Sequence, residues 1–92
     1  MNGNWLIKIV TIPNSLGLHT RAAAVFTKCA SSFDSDIKIR KNDVEVNGKS
    51  IMGLMMLAMP AGENFEIHAS GVDAEQAIKT LSKLVADGFG EI

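Results

Sequence analysis

The chain has 92 residues, 47% of them hydrophobic and 21% charged, and its nine basic and ten acidic side chains give a formal net charge of −1. That length fits one small domain over residues 1–92, and the near-neutral balance argues against a dedicated nucleic-acid or membrane-surface binder, which is usually basic. No apolar run reaches the roughly 20 residues that span a bilayer, the stretch from Met1 to Val10 lacks the features of a signal peptide, and a single cysteine beside two histidines gives no internal disulfide and no basis for a structural metal cluster. The expectation is a cytoplasmic protein that needs neither metal nor cofactor.

In chain order, Trp5 to Ile12 is rich in β-formers and ends at Pro13-Asn14, which predicts a strand. After a loop through Gly17, Thr20 to Ser31 carries Ala23, Phe26, Thr27 and Ala30 at the spacing of one helical face, with Thr20 as the expected N-cap. Ile37, Ile39, Val44 and Val46 alternate with polar residues around Asn42-Asp43, the pattern of a hairpin. Ser50 then opens a helix to about Ala58, broken by Pro60-Ala61-Gly62. Phe65, Ile67 and Ala69 alternate with Glu66, His68 and Ser70 as a fourth strand. Asp73 is placed to cap a last helix whose Ala77, Ile78, Leu81, Leu84 and Val85 form a stripe before Gly88. The order βαββαβα predicts an α+β two-layer fold, with one face of the sheet beneath helices and the other wet.

The first chemical constellation is Gly17-Leu18-His19-Thr20-Arg21-Ala22-Ala23. It sets a histidine at the mouth of a helix, where backbone N–H groups without internal acceptors and the helix dipole favour an anion. Arg21 adds a charge-assisted contact for a phosphoryl group. The nitrogen of a neutral imidazole can attack phosphorus. An ordinary loop histidine beside a surface arginine is the alternative that these residues alone leave open.

The second constellation is Asn47-Gly48-Lys49-Ser50-Ile51-Met52-Gly53. Gly48-Lys49-Ser50 is not a P-loop, because that spacing needs glycine where the chain has Asp43. Ser50 is therefore a helix cap, and a phosphate on it would sit at a helix N-terminus, which tolerates negative charge. The helix that follows is almost wholly apolar, and one lying on a sheet buries only one side. Ile51, Met52 and Met55 are the candidates for an exposed, adaptable docking patch, with core packing the competing reading. Lys28 and Lys49 flank the two candidate phosphate positions and could steer an acidic partner. His68 is expected to face solvent from its strand, and Cys29 to be a packed or half-exposed thiol.

These segments resemble a known family. Gly17 to Ala23 resembles the phosphorylation-site signature of HPr, the histidine-containing phosphocarrier of the bacterial phosphoenolpyruvate-dependent sugar phosphotransferase system, and Lys49 to Gly53 resembles its regulatory serine segment. The separation of the two segments, the element order and the closing Ala69-Ser70-Gly71 before a helix extend the resemblance over essentially the whole chain. It implies an open-faced β-sandwich, with a four-stranded antiparallel sheet covered on one face by three helices. It also implies a monomeric carrier rather than an enzyme, in which His19 accepts a phosphoryl group on Nδ1 from phosphorylated enzyme I and passes it to EIIA domains. Arg21 would neutralise that group, and backbone N–H groups of Thr20 and Arg21 would help to hold it. Ser50 matches the position modified by HPr kinase/phosphorylase, after which the protein can act as a corepressor with a catabolite-control regulator; Ile51, Met52 and Met55 match docking positions.

One departure is Ala22, where the family motif usually has proline. Alanine restores an N–H and loosens the first turn. A nitrogen-branch phosphocarrier, or a chiefly regulatory, corepressor-like binding protein, are the alternatives the resemblance carries with it.

Overall fold

The computed structural model describes residues 4–90, in the order β1 (Leu6–Thr11), α1 (Thr20–Ser31), β2 (Asp36–Lys41), β3 (Val44–Asn47), α2 (Ile51–Met55), β4 (Asn64–Ser70) and α3 (Ala74–Ala86), followed by a single turn at Gly88–Gly90. The strands form one antiparallel sheet in the order β1-β4-β2-β3. It is the α+β open-faced sandwich expected from the sequence, with β4 threaded between β1 and β2.

Strict alternation builds the two central strands. Phe65, Ile67 and Ala69 of β4 and Ile37 and Ile39 of β2 are buried on the face beneath the helices. Glu66, His68, Lys38 and Arg40 take the opposite positions on the uncovered face. Against that layer α1 presents Ala22, Ala23, Phe26, Thr27 and Ala30, and α3 presents Ala74, Ala77, Leu81 and Val85, each set recurring at helical spacing. The turn between β2 and β3 holds Asn42 at φ 56°, a left-handed conformation that asparagine accepts more readily than most residues.

The edge strand β1 departs from the simple pattern. Its register sets Leu6, Lys8 and Val10 opposite Ala69, Ile67 and Phe65, so Ile7 and Ile9 stand on the uncovered face beside His68 and Glu66, 56% and 63% exposed. The apolar residues of β1 are therefore split between the faces, because the register is fixed by its contact with β4 and not by its own composition. Trp5 lies before the strand, with the Lys38 ammonium 5.2 Å from its ring centroid.

Helix ends also differ from expectation. The N-cap of α1 is His19, in extended conformation, and Thr20 is the first helical residue; the Ala23 N–H closes the first turn onto the His19 carbonyl at 2.9 Å. Helix α2 stops at Met55 instead of Ala58 because its last bonds tighten, with the Leu57 N–H donating to the Leu54 carbonyl three residues back. Gly88, at φ 67°, ends α3 as its sequence predicts.

Asp73 occupies the N-cap position of α3, yet its carboxylate does not cap that helix. It reaches across the fold to the turn between α1 and β2, accepting from the Asp34 N–H at 2.9 Å, the Ser35 N–H at 2.9 Å and the Ser35 hydroxyl at 2.5 Å. These donors, the Ser35 hydroxyl first, hold the Asp73 carboxyl below its ordinary value of 3.8. Gly71 lets the two turns close, since a Cβ there would lie 2.6 Å from the Ser35 Oγ.

A lowered folded-state pKa means that the charged Asp73 adds stability above its ordinary pKa, and that this share is lost as pH falls through the lowered value. Asp73→Asn is accordingly expected to be less stable than the parent at neutral pH, with the gap closing under acid. Urea denaturation of both proteins from neutral pH downward checks this, and a gap independent of pH would contradict it.

Candidate functional site

His19 is carried by a loop whose shape is set by its neighbours. The Asn14 side-chain amide donates to the Gly17 carbonyl at 2.8 Å, and the Gly17 N–H returns to the Asn14 carbonyl at 3.1 Å. Gly17 has φ 68°, and a Cβ there would lie 2.6 Å from the Met59 carbonyl oxygen, so both conformation and space demand glycine. The next residue, Leu18, donates its N–H to that same Met59 carbonyl at 2.9 Å. Leu18, Phe26, Leu54 and Met59 then meet Ile39 and Phe65 in the core. This anchoring holds the start of α1 against the segment that leaves α2.

The result is a half-buried imidazole at the N-terminus of α1. The His19 Nε2 is buried. The first turn contains no acidic residue, and the N–H groups of Thr20, Arg21 and Ala22 precede the first intrahelical bond. Arg21 is exposed and borders a groove with Pro13, Asn14, Leu16 and Phe89. Ala22, in place of the proline seen in the family motif, is fully buried at the third helical position.

Ser50 caps α2 as expected, its Oγ accepting from the Gly53 N–H at 3.0 Å. The hairpin end feeding it is close-packed: the Gly48 N–H donates to the Ile37 carbonyl at 2.8 Å, and a Cβ on Gly48 would meet the Ile37 side chain at 2.6 Å. Beyond the cap, Leu54, Leu57 and Met59 are buried, while Ile51, Met52, Met55 and Met56 are exposed. The division of this apolar segment between core and surface is that anticipated, with Met56 as an addition. It lies four residues after Met52, and helical spacing alone places it on the same side.

The two lysines differ. Lys28 is an exposed charge in the last turn of α1. The Lys49 ammonium instead donates to the Phe33 carbonyl at 2.7 Å, tying the start of α2 to the end of α1. No acidic residue occurs in residues 1–33 or 46–62, so α1, its preceding loop and the whole Ser50 segment contribute only positive charge. A short N–H-rich helix end, an imidazole, an arginine and an apolar apron together suit the transient holding of an anionic group presented by another macromolecule.

Two residues stand apart from this surface. His68 lies on the uncovered sheet face, where its Nε2 is 2.7 Å from the Glu66 carboxylate. Cys29 is half-buried in α1, and burial pushes its thiol pKa up. Among the described residues no three His, Cys, Asp or Glu side chains gather into a metal-binding group. None of the helices is long and apolar enough to cross a membrane, among the described residues.

A four-stranded open-faced sandwich with a histidine at a helix mouth suits a small phosphoryl carrier, and the comparisons with known proteins give that class. The sequence matches the protein-family model of the PTS HPr component phosphorylation site over residues 7–87. It is 49% identical over 82 residues to phosphocarrier protein HPr of Neisseria meningitidis serogroup A, covering 89% of this chain and 92% of that protein. The crystal structure of HPr-C-His from Thermoanaerobacter tengcongensis superposes with a TM-score of 0.90 at 42% identity, covering 95% of this chain and 98% of that one. For the phosphocarrier protein HPr from Bacillus anthracis str. Ames the TM-score is 0.84 at 41% identity, covering 88% and 96%. The chain belongs to the HPr family of phosphocarriers of the phosphotransferase system.

Gly17→Ala is expected to lose about 1–3 kcal/mol of stability through strain at a positive φ, and to slow any reaction of His19 because its loop must leave Met59. Urea midpoints and the labelling rate of His19 measured together check this. An unchanged midpoint would mean that the loop takes a methyl group without moving.

Proposed function

We propose that this protein accepts a phosphoryl group from phosphorylated enzyme I on His19 Nδ1 and passes it to EIIA domains for sugar uptake, acting as a monomeric carrier in the bacterial cytoplasm with residues 1–92 as a single HPr-like domain. The observation that carries this reading is the setting of His19. Its Nε2 is buried, which directs an incoming phosphorus to Nδ1, and it sits at the helix end where three successive N–H groups precede the first internal bond. During transfer the bond from phosphorus to the donor breaks as the bond to Nδ1 forms. The group that arrives is anionic, and the Thr20 and Arg21 N–H groups with the Arg21 guanidinium supply donors where its charge lies. No nucleophile is regenerated by water and no substrate is turned over, so the protein is a carrier and not an enzyme.

Partners would dock on Ile51, Met52 and Met55, guided by Lys28 and by a stretch from position 46 to 62 that contains no acidic residue; Lys49 contributes through its hold on Phe33 more than through a free charge. Ser50 gives the same surface a control point. HPr kinase/phosphorylase would place a phosphate on an oxygen that already accepts a helix N–H, so the cap survives and the surface changes sign. That phosphorylated form is the one a catabolite-control regulator would recognise. The protein itself has no direct part in binding nucleic acid.

With phosphoenolpyruvate and enzyme I, wild-type protein is expected to take up an acid-labile phosphate and His19→Ala none, while Arg21→Ala is labelled but transfers more slowly. Acid-labile label retained in His19→Ala would sink the assignment.

The Ser50 surface yields a separate expectation. Ser50→Asp should slow labelling of His19 without unfolding, with a deficit that shrinks as salt rises, whereas Ser50→Ala should lose only a cap, about 1 kcal/mol. Initial rates equal to wild type in Ser50→Asp and in an enzymatically phosphorylated sample would withdraw the regulatory role.

A further inference from the structure

Four methionines follow Ser50 within ten residues, Met52, Met55, Met56 and Met59, and the fold treats them differently. Met59 is 4% exposed and belongs to the core, whereas Met52 and Met56 are 76% and 78% exposed. The Met56 N–H donates to the Met52 carbonyl at 3.2 Å, so these two thioethers project from successive turns on one side of α2. Burial of this segment is carried by Leu54, Leu57 and Met59. A chemical change at Met52 or Met56 therefore alters the surface while the packing beneath it stays.

We propose that Met52 and Met56 form a reversible oxidation site for hydroperoxides, and that their sulfoxides weaken docking of the phosphotransfer partners on α2. The proposal rests on the reading of Ile51, Met52 and Met55 as the docking surface. In each event the thioether sulfur attacks the distal peroxide oxygen. An S–O bond forms as the O–O bond breaks; the sulfur gives up two electrons, and the leaving oxygen departs with the proton as water or an alcohol. A flexible apolar side chain becomes a polar one, whose oxygen must shed water to enter an apolar contact. Met55 is 41% exposed, about half as open as Met52 and Met56, and is oxidised after them. The Cys29 thiol competes poorly. Cys29 is partly buried, and its raised thiol pKa keeps little thiolate at neutral pH.

The test uses the full chain carrying Cys29→Ala, treated with graded hydrogen peroxide and mapped by peptide mass spectrometry. Initial rates of phosphorylation by phosphoenolpyruvate and enzyme I are read before treatment, after it, and after repair with the two methionine sulfoxide reductases. Sulfoxide is expected at Met52 and Met56 ahead of Met59, with a rate loss of roughly tenfold that repair reverses. At the dose that oxidises Met52 and Met56 but not Met55, peroxide should leave the starting rate of Met52→Leu/Met56→Leu unaltered. Sulfoxide at both positions with an unchanged rate, oxidation of Met59 first, or an equal loss in the leucine variant would each overturn the proposal. Met52→Glu/Met56→Glu separates it from the reading beneath it. If that variant is slow while the sulfoxide is not, only the oxidation site fails; if neither is slow, the docking surface fails as well.

Discussion

The arrangement depends on one carbonyl. The Met59 oxygen receives the Leu18 N–H at 2.9 Å and lies so close to Gly17 that no side chain fits between them. This pins the loop that carries His19 to the chain leaving α2, two segments about forty residues apart in sequence. Because Leu18 and Met59 also enter the core with Phe26 and Leu54, the position of the imidazole is set by packing and not by the loop alone. A histidine on an untethered loop would pay the entropy of ordering at every encounter; here folding has already fixed it.

The same anchoring makes two chemically different elements neighbours. The first turn of α1 brings N–H groups and Arg21, which suit an anion, and α2 brings Ser50 and exposed apolar side chains, which suit a protein surface. The Lys49 bond to the Phe33 carbonyl closes the other end of this pair, joining the start of α2 to the end of α1. A carrier must be recognised by more than one partner and hold its group only briefly. A small, positively biased site with an adaptable methionine apron meets both demands without a pocket that encloses a substrate.

Much of the architecture was legible in the sequence because the central elements obey a single period. In β2 and β4 every second residue is apolar, and in α1 and α3 the buried residues recur at three and four, so face and type could both be read. In β1 apolar residues occupy both parities, and only pairing with β4 decides that Ile7 and Ile9 face outward. The pattern overextends α2 because the apolar run continues past the helix, with Leu57 and Met59 buried as irregular chain. His19 and Ser50 stood out as residues at helix entrances, a local signal. The Asp73 carboxylate looked like a cap for the same local reason, while its partners at Asp34 and Ser35 are nearly forty residues away, beyond any pattern. Leu18 and Met59 were equally silent, since a backbone hydrogen bond leaves no mark on residue type.

The central claim is that burial of one ring nitrogen and exposure of a helix end direct phosphoryl transfer to the other nitrogen of His19. Nitrogen-detected spectra of the imidazole in protein phosphorylated by phosphoenolpyruvate and enzyme I distinguish the two ring positions directly. The account predicts a single phosphorylated species with phosphorus on His19 Nδ1. Phosphorus on Nε2, or on His68, would contradict it.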